Sequence, residues 1–240
     1  MGQIQKAMIL AAGRGVRMRE LTNKKPKPLI PVLGKPIIDY IVEKVIRYGV
    51  PSLVVNLCYK GEMIRADLEK YQAQLHIDFS EEETALETGG GVKKALPFLG
   101  DNPFFVINAD PLWLDKSTSV FEQLETAWDD EKYDVVLALI PLSEAFGAVG
   151  NGNYFIENNK PRRKKPEETN EPYMFMGVQI IHPRVFKEVD RSQNVFSLRD
   201  IYDTAQAKNR LGFIVFDGTW YHIGTPEALA ITENKLSKKE

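Results

Sequence analysis

Seven cations stand between Arg14 and Lys35, and one acid, Glu20, opposes them. They are Arg14, Arg17, Arg19, Lys24, Lys25, Lys27 and Lys35, and they follow the glycine turn Gly13-Arg14-Gly15. Guanidinium groups clamp phosphate oxygens in pairs and ammonium groups act on them as point charges. Pro26, Pro28 and Pro31 stiffen the segment, which lowers the entropy lost when it orders around a ligand. A dinucleotide fingerprint requires a third glycine where Met18 stands. A P-loop requires Gly-Lys-Ser/Thr after the glycines, which this segment lacks. A longer basic loop lying over the phosphates of a nucleotide remains. On composition alone, a solvated basic loop with a routine glycine turn is an equal alternative.

Further groups stand at the ends of apolar runs. Asp110 closes Pro103–Asp110, a strand end where aspartate commonly serves as a helix or turn cap. Asn108, two residues earlier, reads by position as a strand-end residue. "ETGGG", Glu87–Gly91, reads as a chain break ahead of a short helix ending at Leu96, with side chains removed so that a flat ring can approach. His222 in "WYHIGTPEAL" precedes a helix start, a natural anion site. His76, His182 and Cys58 are assigned no chemistry.

The elements that must position these groups follow from periodicity. Ala7–Leu10, Ser52–Leu57, Leu75–Phe79, Pro103–Asp110 and Asp134–Ile140 read as strands. Pro36–Tyr48, Glu62–Tyr71 and Ser119–Asp130 alternate with them as helices, which predicts an α/β fold with a largely parallel sheet. After Pro141 the pattern becomes α+β: an Asn-Gly hairpin in "AVGNGNYFI", strands in "YMFMGVQIIH" and "LGFIVFDGTWYHIG", and helices at Leu198–Lys208 and Pro226–Leu236. The charged, proline-rich run 157–172 reads as a loop.

At 240 residues, one domain with its own core is expected. A formal charge of −2 argues against bulk attraction to nucleic acid, so the basic segment must act locally. The single cysteine allows no internal disulfide and fits a reducing cytoplasm. The N-terminal apolar run is too short for a signal or a membrane span. Neither nucleic acid nor a membrane is an expected partner.

The segment "LAAGRGVRM…KPKPLIPVLGKPII" resembles the signature of the sugar-1-phosphate nucleotidyltransferases, and the later blocks "LETGGGVKKALPFLG", "GVQIIHPRVF" and "WYHIGTPEAL" extend the likeness over most of the chain. They are similar to a branch that includes N-acetylmuramate-1-phosphate uridylyltransferases and mannose-1-phosphate guanylyltransferase-like proteins. The resemblance implies a Rossmann-like three-layer α/β fold with a mixed, mostly parallel sheet. It implies a nucleotide-binding half over residues 1–140 and a sugar-phosphate-binding half over 141–240. It further implies that a sugar 1-phosphate attacks the α-phosphorus of an NTP and that pyrophosphate leaves. UTP with N-acetylmuramate 1-phosphate is the first expected pair, and GTP with mannose 1-phosphate the second.

By the same resemblance, Arg17, Lys27 and Asp110 are the expected catalytic residues. Leu10, Ala11, Ala12, Gly13, Arg14, Gly15, Glu87, Thr88 and Gly89 border the nucleotide. Asn108, Gly147 (in "FGAV"), Lys165 and Gly177 contact the sugar phosphate. Asp110 holds Mg²⁺. Many relatives carry an aspartate where His222 stands, so three roles are open to His222: phosphate contact, ligation of a softer ion such as Mn²⁺ or Co²⁺, or a structural histidine. That replacement is also the best support for a rival of another class, a non-catalytic nucleotide-binding module.

Overall fold

The computed structural model describes residues 3–147, 150–169, 172–188 and 194–238. The strands are β1 (Lys6–Leu10), β2 (Pro31–Val32), β3 (Lys35–Pro36), β4 (Ser52–Leu57), β5 (His76–Glu81), β6 (Phe104–Asn108), β7 (Pro111–Asp115), β8 (Val135–Pro141), β9 (Ala145–Phe146), β10 (Tyr154–Glu157), β11 (Lys160–Arg163), β12 (Tyr173–Ile181), β13 (Leu211–Val215) and β14 (Gly218–His222). The helices are α1 (Leu21–Lys24), α2 (Ile37–Tyr48), α3 (Gly61–Leu68), α4 (Glu87–Leu99), α5 (Val120–Ala127), α6 (Leu198–Ala207) and α7 (Pro226–Leu236).

Ala7, Met8 and Ile9 are fully buried at the centre of the main sheet, where β1 pairs in parallel with β4 on one side and β6 on the other. A strand covered on both faces needs an unbroken apolar run, and "AMIL" supplies one. β5 extends the sheet in parallel beyond β4. β12 runs antiparallel to both β6 and β8, and β13 joins β8 in parallel. The mixed, mostly parallel α/β sheet expected from sequence is therefore present. Because β12 sits between β6 and β8, the first and second halves of the chain share one sheet.

Helix α2 shows how pattern becomes packing. Ile37, Ile38, Ile41, Val42 and Val45 all have zero exposure on one face. Gly49 ends the helix at φ 90°, its amide hydrogen donated to the carbonyls of Val45 and Ile46. Each buried aliphatic side chain contributes roughly 1.5–3 kcal/mol over an exposed one, so truncation of Ile41 to alanine is expected to cost about 2–5 kcal/mol.

Several elements differ from the sequence expectation. The glycines of Glu87–Gly91 lie inside α4 and do not break the chain. Close neighbours decide this: a Cβ on Gly91 would stand 2.8 Å from Asn56 Nδ2 and 2.9 Å from Glu82 Oε1, and Gly89 abuts the Phe196 ring. Tight packing outweighs low helix propensity there. Strand β7, not expected, follows β6 after only Ala109 and Asp110. The run "LGFIVFDGTWYHIG" is two strands in two sheets, β13 in the main sheet and β14 between β7 and β9 in a small one. The hairpin falls one segment later than expected: β10 and β11 pair across Asn158 and Asn159, at φ 50° and 57°. Residues 160–163 of the expected loop are thus strand. Ala148 and Val149 of "FGAV" and of the expected Asn-Gly hairpin lie outside the described residues.

The glycine turn and the basic segment rest on a small core of their own. Met18, Ile30, Val32 and Ile37 pack with Leu112 of β7 and with Tyr221 and Ile223 at β14. α7 closes over them. Arg19 Nη1 is 2.8 Å from Glu227, and the Leu33 amide donates to Glu233 Oε1 at 3.0 Å. No helix among the described residues is long and apolar enough to cross a membrane.

Candidate active site

A cleft of about 360 Å³ opens at the carboxyl ends of β1, β4 and β6, where open α/β sheets place their ligands. Leu10, Ala11, Ala12, Gly13 and Gly15 form its floor, Arg17 and Lys27 one wall, and Asn108 and Asp110 the rim beyond β6. Glu87 and Thr88 line it from the start of α4. Most of the residues expected from sequence thus meet in one place.

Of the seven cations, only Arg17 and Lys27 line this cleft. Lys27 Nζ donates to Asp110 Oδ2 at 2.9 Å. Gly15, at φ 66°, permits that approach, since a Cβ there would stand 2.7 Å from Lys27 Cβ. Arg17 is exposed and has no ion-pair partner among the described residues. Three of the other five are engaged elsewhere: Arg14 stacks on Tyr59, Arg19 meets Glu227, and Lys35 pairs with Glu43. Arg14 therefore does not line the cleft as expected, because the ring of Tyr59 draws its guanidinium away.

Burial disfavours charge on Asp110, but Lys27, His222 and Arg17 outweigh it and hold the carboxyl below its usual value. Asp110 follows β6 after one residue, Ala109, and immediately precedes β7. β14 pairs antiparallel with β7, with His222 opposite Pro111, and the Ile223 amide donates to the Asp110 carbonyl. That register brings His222 Nδ1 to 3.9 Å from Asp110 Oδ2. The Trp220 ring stacks on His222 at 5.8 Å and is itself fixed by its indole N–H to the Met176 carbonyl. Burial pushes the His222 imidazolium down, the Asp110 charge opposes this, and Lys27 and Arg17 add to it. Neutral imidazole is the favoured form.

The other expected substrate residues divide. Gly177, at φ 82°, sits against Asn108, where a Cβ would come within 3.0 Å of its side chain. Gly147, at φ 67°, packs on the carbonyl of His222 and on Ala228. Both support the site from behind and do not line the cleft. Gly89 is also absent from the lining: its amide hydrogen, like that of Gly90, is donated to the Phe196 carbonyl. Lys165 is exposed beyond β11, its amide donated to Glu168 Oε2, and it does not line the cleft.

Sequence reading missed Asn56 and Glu82, both buried and both lining the cleft. Asn56 Oδ1 accepts the Ala11 amide at 2.7 Å, and Asn56 Nδ2 donates to Glu82 Oε1 at 2.7 Å. Glu82 Oε2 accepts the Leu86 amide at 3.0 Å. This chain of bonds ties the turn after β1 to β4 and to the start of α4. A polar residue within the apolar strand "LVVNL" was the available signal for Asn56.

Among the described residues, no group of three or more His, Cys, Asp or Glu could hold a metal ion. Asp110 lines the cleft and His222 does not; the pair offers one carboxylate oxygen with an imidazole nitrogen 3.9 Å behind it. Such a pair fits a cation that arrives with substrate phosphates and keeps waters, not a complete protein cage.

A cleft at strand ends, with a glycine turn, two cations and a carboxylate facing one another, defines a protein that handles phosphoryl groups. The model of the nucleotidyl transferase family matches residues 6–239, and the chain belongs to that family. It is 35% identical over 236 residues to the N-acetylmuramate alpha-1-phosphate uridylyltransferase of Caulobacter vibrioides, covering 97% of each chain. It is 29% identical over 231 residues to the mannose-1-phosphate guanyltransferase of Hypocrea jecorina, covering 92% of this chain and 61% of that one. A crystal structure of UDP-glucose pyrophosphorylase complexed with UDP-glucose shares the fold at a TM-score of 0.79 and 20% identity, covering 99% of this chain. The protein is a sugar-1-phosphate nucleotidyltransferase.

Proposed function

We propose that the protein transfers a uridylyl group from UTP to N-acetylmuramate 1-phosphate. A phosphate oxygen of the sugar 1-phosphate attacks the α-phosphorus in line, the bond to the β-phosphate breaks, and pyrophosphate leaves with that electron pair. No covalent protein intermediate is needed. The chain's work is to hold two anions together and to offset growing negative charge. Arg17 takes the β- and γ-phosphates and stabilises the departing pyrophosphate. Lys27 moves from Asp110 toward the α-phosphate as the substrate enters. Asn108, backed by Gly177, contacts the sugar-phosphate side; Gly147 shapes the same side behind His222, and Lys165 reaches it from the segment beyond β11. Leu10, Ala11, Ala12, Gly13 and Gly15 carry the nucleotide. Residues 1–140 supply most of the nucleotide subsite and 141–240 most of the sugar-phosphate subsite.

Asp110 would hold a divalent cation, with His222 as its second protein contact. A bound cation neutralises phosphate charge and orients the phosphates. The mixed oxygen and nitrogen pair suits Mn²⁺ or Co²⁺ as well as Mg²⁺. A reducing cytoplasm, suggested by the lone Cys58, is the expected setting.

The observation that carries the reading is the convergence of Arg17, Lys27 and Asp110 on one cleft, taken with the name of the Caulobacter relative. The Hypocrea relative favours a second pair, GTP with mannose 1-phosphate. Pyrophosphate release measured across four NTPs and a panel of sugar 1-phosphates decides between them. Reaction with GTP and mannose 1-phosphate alone would overturn the uridylyl reading. Binding of NTP without any release would favour a non-catalytic module.

A further inference from the structure

Tyr59 and Lys60, between β4 and α3, do not line the cleft, yet both reach across to the basic segment. The Tyr59 hydroxyl donates to the Thr22 carbonyl at 3.0 Å. Lys60 Nζ donates to the carbonyls of Asn23 and Lys24 at 2.7 and 3.1 Å. These carbonyls belong to α1, a single turn, and the last carbonyls of a helix have no N–H partner within it. A cation is the favoured partner at such an end. The Tyr59 ring also carries the Arg14 guanidinium, 5.5 Å from its centroid, and Lys60 Nζ lies 5.6 Å from the same centroid. Both ends of the stretch 14–24 are thereby fastened to two neighbouring residues.

The backbone marks Lys60 as a residue kept for its side chain. It precedes α3 at φ 53° and ψ 39°, in the left-handed region, where glycine fits without strain. Strain of this kind persists where the surroundings hold it, and here two carbonyls hold the ammonium.

The stretch so fastened carries Arg17, which is exposed, lines the cleft and has no ion-pair partner among the described residues. The direction of its guanidinium therefore comes from the backbone that bears it. Met18, the next residue, is fully buried in the small core beneath the segment. Arg14, three residues earlier, rests on Tyr59. At the end of β4, Asn56 Oδ1 accepts the Ala11 amide at 2.7 Å. One short run, 56–60, thus fixes both the floor of the cleft and the wall beside it.

We propose that Tyr59 and Lys60 are positioning residues for nucleotidyl transfer: they hold the stretch 14–24 so that Arg17 meets the β- and γ-phosphates. This rests on the reading of Arg17 given under the proposed function. A segment already ordered loses less freedom when its ligand arrives, so affinity for the outer phosphates depends on two side chains that do not touch them.

Two variants separate positioning from folding. K60G removes the ammonium and places at that φ the residue that tolerates it best, so relief of strain offsets the lost bonds and the melting transition should stay near wild type. Y59F keeps the ring under Arg14 and removes one hydroxyl bond. Calorimetry without turnover gives dissociation constants for UTP and UMP on the wild type, K60G, K60R, Y59F, R17A and K60G/R17A. K60G should weaken UTP binding by roughly 3–30-fold, within the range that coupled groups span. UMP binding should not change, because UMP has no β- or γ-phosphate. Y59F should weaken UTP in the same direction, and K60R, which returns a cation to the two carbonyls, should recover most of the loss. With Arg17 already removed, K60G should cost nothing further. UTP binding unchanged in K60G and Y59F, equal losses for UTP and UMP, or a full K60G effect in R17A would overturn the proposal. R17A that binds UTP as tightly as wild type would sink the phosphate role of Arg17 and this inference with it. A wild type that binds GTP but not UTP would sink the uridylyl reading alone, and GTP with GMP then serves as the test pair.

Discussion

Lys27 Nζ lies 2.9 Å from Asp110 Oδ2, with the two side chains 12% and 23% exposed. The pair spans 83 residues of chain and draws the basic segment onto the end of β6. Its electrostatic consequence can be isolated. Burial alone would raise the Asp110 carboxyl, and Lys27 is the strongest of the groups that reverse this. In K27M the carboxyl should therefore titrate at higher pH than in the wild type, followed by carbon NMR of the side chain. Transfer should also fall by at least ~10²-fold, the scale for loss of a charged group that stabilises a transition state. A carboxyl that titrates unchanged would show that Lys27 is not its governing neighbour.

D110N keeps the shape of the side chain and removes its charge. Pyrophosphate release should fall by ~10²–10³-fold, while circular dichroism and the melting transition stay close to wild type. Residual turnover near the wild-type rate would exclude Asp110 from the cation site.

Gly15 sets the approach of Lys27. G15A forces a side chain to φ 66° and places its Cβ 2.7 Å from Lys27 Cβ. A destabilisation of about 1–3 kcal/mol is expected from the backbone strain, with a loss of activity greater than the stability change explains. Chemical denaturation and steady-state kinetics separate the two effects. G13A is the control for stability alone, because no atom lies within 4 Å of the Cβ it would introduce.

His222 should make stability fall on acidification. Its folded-state proton affinity is lowered, by burial first. Above about pH 6.5 the histidine is neutral in both states. As pH drops below that value the unfolded chain takes up the proton first, so stability declines until the folded pKa is reached. His182, also lowered by burial, acts in the same direction. Asp110 does not contribute in this window, since its carboxyl lies below 3.8. In chelator, the loss of urea midpoint between pH 7.5 and 5.5 should be smaller for H222Q than for the wild type. Equal losses would place His222 outside the linkage.

Chelation should abolish transfer, and re-addition of cations should reveal what the oxygen–nitrogen pair prefers. The wild type should recover at lower Mn²⁺ or Co²⁺ than Mg²⁺, and H222D should shift the preference toward Mg²⁺. Calorimetric titration of each cation in the presence of NTP reads this without turnover. Identical preferences in the two proteins would assign His222 to phosphate contact or to structure.

The legible parts of the fold were those with a short-range cause. The helix at Pro36–Tyr48 and the strand at Ala7–Leu10 were read correctly because helix and strand periods are local. The glycines of α4 misled, since Phe196 and Asn56, far away in sequence, are what require them to lack side chains. β7 and the division between β13 and β14 escaped for a similar reason: an apolar run does not reveal which sheet it joins.

The sequence by itself determined the chemistry available: a glycine turn, a cation-rich segment and a carboxylate at a strand end, each written in its own short run of residues. Tertiary structure alone decided that two of the seven cations face the cleft, that Asn56 and Glu82 bind its floor together, and that His222 comes within 3.9 Å of Asp110. Those outcomes depend on strand order and register, which are set by packing between segments tens of residues apart. No local pattern encodes them, because each side chain's direction is fixed only when its strand finds its neighbours.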